Sequence, residues 1–154
     1  MKIEGVDRMK KRLLVMSALI TAMICVGVML SKSGPPTLTV QADHKNIKVT
    51  RGTYCWEGRL QTTCEDTISP PDIVKSQQIK PKRVAPNADI EIKFQQKPNE
   101  DTLGVNIWSG ERAENVPLTD NHFRAPRRPG VYVYDVFARW DEGAASYTFT
   151  IEVE

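Results

Sequence analysis

His44 and His122 are the only imidazoles in this chain of 154 residues. A nucleophilic hydrolase needs such a base within hydrogen-bond reach of its serine or cysteine. Neither G-x-S-x-G nor S-x-x-K occurs. Asp43-His44 and Asn121-His122 lack an i, i+4 histidine and an H-E-x-x-H frame, so both histidines read as loop residues rather than metal ligands. Two suitably separated carboxylates would suffice for a glycosidase, but among the seventeen acids after residue 12 no pair stands out. No catalytic residue, metal or cofactor is expected.

Groups suited to recognition are easier to find. In an extended segment side chains alternate, so Tyr54 and Trp56 share one face and Cys55 takes the other. Facing inward, the two rings are core and Cys55 decorates the surface; facing outward, they form a platform for a sugar ring or a partner protein. The second candidate is basic: Lys80, Lys82 and Arg83, with Arg124, Arg127 and Arg128. Prolines at 81, 126 and 129 break both runs, which reads as loops holding cationic groups in water. They suit an anionic wall polymer or a lipid headgroup, or are simply solvated and balanced by nearby acids.

Cys55 and Cys64, with eight residues between them, match no zinc pattern because no further Cys or His lies near. In an oxidising compartment such a pair is bridged, contributing on the order of 2 to 3 kcal/mol in the chain-entropy model.

The segment that sets the compartment is Leu13 to Leu30, eighteen residues without an ionisable group. As a helix it spans about 27 Å, close to the ~30 Å hydrocarbon thickness of a bilayer. Residues 1–12 hold five Lys/Arg against Glu4 and Asp7, whereas residues 31–45 hold only Lys32 and Lys45. The bias places the tail in the cytoplasm and the C-terminal part across the cell membrane. A cleaved signal peptide, leaving a secreted chain, is the alternative, but the run is long for one and its exit offers no A-x-A. Cys25 lacks the small preceding residue of a lipidated cysteine and reads as an ordinary residue of the apolar helix. After residue 12, sixteen Lys/Arg face seventeen Asp/Glu, so the basic pI reflects topology and gives no argument for a nucleic-acid partner.

Residues 31–36, SKSGPP, form a stalk, and 37–154 are one domain's worth of chain. Ser69-Pro70-Pro71-Asp72 predicts a short capped helix over 69–75. Everything else reads as strands: 37–41, 47–56, 79–84, 89–94, 103–108, 131–140 and 145–153. In the last two, Tyr132, Tyr134, Val136, Ala138 and Trp140, and then Ala145, Tyr147, Phe149, Ile151 and Val153, alternate with polar residues, which predicts a hairpin with one buried face. Trp108 and Trp140 end apolar strands and read as core.

About seven strands in this length fit an all-β, two-layer antiparallel sandwich. Gly130-Val131-Tyr132-Val133-Tyr134 has the G-x-Y-x-[C] spacing of strand F in immunoglobulin-like domains. Tyr132 would be a tyrosine corner, and Tyr134 would stand where the second cysteine of an antibody domain sits. A bridge from Cys55 to Cys64 is local, so only the architecture is suggested.

Through Gly52-Thr53-Tyr54-Cys55-Trp56, Cys64-Glu65-Asp66, Ser69-Pro70-Pro71 and Pro129 to Tyr134, then Ala138-Arg139-Trp140 and Ala145-Ser146-Tyr147, residues 47–153 resemble a group of small membrane-anchored extracytoplasmic proteins of Gram-positive bacteria. The resemblance implies a compartment and a β-sandwich; the group has no assigned activity. The expected function is a single-pass binding module contacting another envelope protein or a wall polymer. One alternative is an accessory subunit of a membrane sensor or protease, paired through Ser17, Thr21, Ala22 and Gly27. Another is an envelope hydrolase acting on glycan or peptide.

Overall fold

The computed structural model of the chain describes residues 3–29 and 34–154, with the side chains of its first helix described from Lys10 to Met23. The chain divides into two compact units, residues 1–33 and residues 34–154. Leu30, Ser31, Lys32 and Ser33, and the side chains of Cys25 and Gly27, lie outside the described residues.

Helix α1, Ile3–Met29, begins well before the apolar run. Leu13, Leu14, Val15, Met16, Leu19, Ile20 and Met23 are all exposed on it. The Thr21 hydroxyl donates to the Ser17 carbonyl at 2.9 Å, one turn back. Among the described residues no helix is long and apolar enough to cross a membrane.

The second unit consists of eleven strands and one short helix. In chain order they are β1 Leu38–Ala42, β2 Lys45–Ile47, β3 Val49–Glu57, β4 Thr62–Glu65, α2 Pro70–Ser76, β5 Lys82–Val84, β6 Asp89–Phe94, β7 Gly104–Ser109, β8 Arg112–Asn115, β9 His122–Arg124, β10 Gly130–Trp140 and β11 Gly143–Val153. One sheet has the order β2-β1-β6-β9; the other has β4-β3-β11-β10-β7-β8, with β5 beside β11. All pairings are antiparallel except β5 with β11, which runs parallel and departs from the expected purely antiparallel arrangement.

One core joins the inner faces of the two sheets, with Val40, Ile90 and Ile92 from the smaller and Val105, Val136, Phe149 and Ile151 from the larger. Complete burial of each such side chain contributes about 1.5 to 3 kcal/mol. The long hairpin β10–β11 forms as its alternation predicts, in a register that sets Tyr134 opposite Phe149 and Val136 opposite Tyr147. The Tyr134 and Phe149 rings stack at 5.0 Å, and Phe123 of β9 reaches Tyr134 at 5.2 Å. At the other end of β10, Trp140 meets Phe94 edge-on at 5.0 Å and donates its indole N–H to the Gln96 carbonyl at 3.1 Å.

Ser69 caps α2 by accepting from the Asp72 backbone N–H at 3.4 Å, while its hydroxyl donates to Asp72 Oδ2 at 2.6 Å. The helix packs on β10 and β11. Its buried Ile73 stands apart from the inter-sheet core, and Gln77 just after it accepts from Thr50 of β3 at 3.3 Å. It is therefore a cover for the outer face of the larger sheet as well as a connection.

Candidate functional site

The basic residues converge because of how the strands end. Strand β5 runs parallel to the last residues of β11, with Lys82 opposite Ile151 and Val84 opposite Val153. Gly130, the first residue of β10, also lies opposite Val153. The segment leaving β5 is tied to the segment leaving β9: the Ala125 N–H donates to the Ala88 carbonyl at 2.9 Å, and the Asn87 N–H to the Pro126 carbonyl at 3.4 Å. Residues 82–83 and 127–128, far apart in sequence, thus occupy one end of the domain.

The loop carrying Arg127 and Arg128 is fixed from both sides. Ala125 and Pro126 hold its start, and the Tyr132 hydroxyl donates to the Arg128 carbonyl at 2.9 Å. Gly130, at φ +152, lies beneath the Tyr132 ring, where an added Cβ would stand 3.6 Å from the hydroxyl. Arg127 and Arg128 are exposed and make no salt bridge among the described residues. Arg83 is partnered by Glu152 at 3.5 Å and Glu154 at 3.6 Å, and Arg124 by Asp89 at 3.8 Å. Beside β5 an open pocket of ≈ 320 Å³ lies between Asp43 and Lys45 of the β1–β2 segment, Lys82, Arg83 and Glu154. The end can engage anions: unpaired guanidinium groups present forked donors, and Lys45 and Lys82 add point charges. Lys80 precedes β5 and is exposed.

The aromatic candidates lie elsewhere. Strand β3 takes the inward orientation, so Trp56 is only 4 % exposed and meets Trp140 edge-on at 5.7 Å. Tyr54 is half-buried beneath the Arg51 guanidinium, 5.3 Å from its ring centre. A two-ring surface platform is therefore not formed, because burial against Trp140 takes one of its rings. Cys55 and Cys64 face outward, directly opposite each other on β3 and β4 at disulfide distance. Tyr134 and Trp140 are core, and Trp108 is half-buried on the outer face.

Two polar groupings were not visible as such in the sequence. On the outer face of the smaller sheet, His122 Nδ1 lies 2.9 Å from Asp89 and its Nε2 3.7 Å from Glu91. A hydrogen bond from Lys93, 2.7 Å away, holds the Glu91 carboxyl below its usual range. Among the described residues no three His, Cys, Asp or Glu side chains are placed to hold a metal ion.

The other grouping is on the outer face of the larger sheet, where Asp135 stands opposite Thr148 and Asn106. Burial pushes the Asp135 carboxyl up to about 6. Its Oδ1, the Thr148 hydroxyl and the Trp108 indole nitrogen are buried without a hydrogen-bond partner among the described residues. A carboxyl held near pH 6 can move a proton, and the groups opposite it in the strand register are the Thr148 hydroxyl and the Asn106 amide. Alternation alone places Asp135 on the polar side of β10; the signal for its burial is the capped helix at Ser69, which returns over that face.

No protein-family model, curated protein or solved structure matches the chain.

Proposed function

We propose that this chain is a single-pass membrane protein whose helix holds an immunoglobulin-like β-sandwich outside the cytoplasm, where it binds an envelope component without chemistry. The observation that carries the reading is the eighteen-residue apolar run behind five basic residues. On α1, the side chains from Leu13 to Met23 that favour lipid are exposed, and Lys10, Lys11 and Arg12 lie immediately ahead of them. The paired cysteines on the surface suit an oxidising address.

Strand order supports the immunoglobulin-like assignment. The sequence β1-β6-β9 corresponds to A-B-E of such domains, and β11-β10-β7-β8 to G-F-C with the added C′ of variable domains. Tyr132, at the start of the F-like strand, makes the backward hydrogen bond of a tyrosine corner. Strands β2 to β5 and α2 would then be an insertion between A and B, widening the larger sheet along β11.

Alkaline carbonate extraction of membranes from cells expressing the full chain tests the reading. The chain stays with the membrane pellet if it is anchored. Its release, like a peripheral protein, would contradict the proposal.

A further inference from the structure

We infer that the end of the domain formed by the β9–β10 loop, β5 and the β1–β2 turn grips a linear, phosphate-bearing polymer, with Arg127 and Arg128 as its principal contacts. The inference deepens the binding-module reading and takes from it only the compartment.

Three observations carry it. First, cations are in local surplus there. The acids of this end include Asp43, Asp89, Glu152 and Glu154, and three of these four are taken by Arg83 and Arg124. Arg127, Arg128 and Lys82 stay without a carboxylate partner among the described residues.

Second, the arginine loop is set in advance. Backbone bonds at Ala125 and Pro126, and the Tyr132 hydroxyl on the Arg128 carbonyl, fix it before any ligand arrives. Less ordering entropy is then lost on binding.

Third, the cations are divided between two places at that end, the loop and the pocket holding Lys45 and Lys82. An isolated small anion meets one of them, whereas an extended chain of anions meets both and gains the effective-concentration advantage of two linked contacts. Phosphate fits because a guanidinium bonds it bidentately and each phosphodiester keeps its charge.

The polarity of the domain agrees with this. The chain enters at the opposite end, where the Pro36 carbonyl accepts from Tyr147 and the Thr37 carbonyl from Gln95. That end carries the β10–β11 turn with Asp141 and Glu142, whose carbonyl ties Glu57 of the β3–β4 hairpin. The arginine loop thus stands at the end of the domain away from the chain's entry.

The test uses the full chain in phosphatidylcholine nanodiscs, titrated with fluorescent long-chain inorganic polyphosphate, with polyglutamate in a parallel arm. Polyphosphate binding should weaken steeply between about 50 and 200 mM salt. It should fall about tenfold or more in R127Q/R128Q, whose melting temperature stays that of the parent because both side chains are exposed. R59Q/K97Q, which removes cations elsewhere on the domain, should bind like the parent. Equal binding by R127Q/R128Q, an equal loss in R59Q/K97Q, or polyglutamate binding as tight as polyphosphate would overturn the inference. So would co-sedimentation with phosphatidylglycerol vesicles in the absence of polyphosphate binding, which would make the ligand a headgroup. Release from membranes by carbonate strikes the anchored reading alone, so the two failures are distinguishable.

Discussion

The Tyr132 hydroxyl reaches back four residues to the carbonyl of Arg128, a 2.9 Å hydrogen bond that ties the start of β10 to the loop before it. It joins the fold to the candidate site, since the residue whose carbonyl is held is one of the two arginines of that loop. Tyr132→Phe should cost about 1 kcal/mol for the lost bond. Tyr132→Ala should cost about 2 to 4 kcal/mol, because it also opens a cavity beside the core. Chemical denaturation checks both values, and a Phe variant as stable as the parent would show that the bond contributes nothing.

Asp135 makes stability depend on pH in an unusual direction. Burial raises its pKa to about 6, so the folded chain keeps this proton at pH values where the unfolded chain has lost it. Its contribution is most favourable below about pH 4, declines as pH rises to about 6, and is level above that. The change is on the order of 2 kcal/mol. Asp135→Asn should remove that slope and stabilise the domain at neutral pH by about 1 to 2 kcal/mol. Denaturant melts of parent and variant at pH 4.0 and 7.0, read as the difference between the two proteins, check it.

Gly143 opens β11 with φ +155, and a Cβ there would collide with the Cys55 carbonyl of β3. Gly143→Ala must therefore push the β10–β11 hairpin from its neighbouring strand. A loss of about 2 kcal/mol or more is expected in thermal or chemical melts. Gly110→Ala, also at positive φ but with open space around it, should cost about 1 kcal/mol and is the matched control.

Removing the Cys55–Cys64 pair should cost on the order of 2 to 3 kcal/mol while leaving the fold intact, because both residues lie on the surface, outside the inter-sheet core. Melts of C55S/C64S against the oxidised parent measure the cost. Near-ultraviolet circular dichroism should keep the signal of the packed Trp56 and Trp140 rings.

Legibility along the chain followed the length of each pattern. Strands β10 and β11 alternate over most of their length, so their existence and their inward faces could be read directly; the single buried face expected of β11 is corrected by Thr148 and Thr150, which are buried on its other face. Ser69 with two prolines and Asp72 announced α2 through its capping chemistry. Strands β4, β8 and β9 were missed because three or four residues cannot show a period, and Thr62–Glu65 and Arg112–Asn115 are exposed throughout. The expected strand from Ile79 to Val84 forms only from Lys82, and the one from Ile47 to Trp56 is divided between β2 and β3.

Site residues were legible by type and not by neighbourhood. Proline-flanked arginines could be recognised as loop cations, but their meeting with Lys82 and Arg83 depends on β5 lying parallel to β11, a long-range pairing with no local signature. Alternation alone leaves the orientation of Tyr54 and Trp56 open; Trp140, the packing partner of Trp56, decides it. Asp135 was misleading for the converse reason: its polar side of the strand is covered by a helix from elsewhere in the chain.

We propose that the domain after residue 33 lies outside the cytoplasm on a membrane helix. Trypsin added to intact protoplasts expressing the full chain tests it most directly, with a C-terminal epitope as reporter and a cytoplasmic protein as control. The account predicts loss of the epitope while the cytoplasmic control survives. An epitope that stays protected until the protoplasts are lysed, and is then digested, would contradict it.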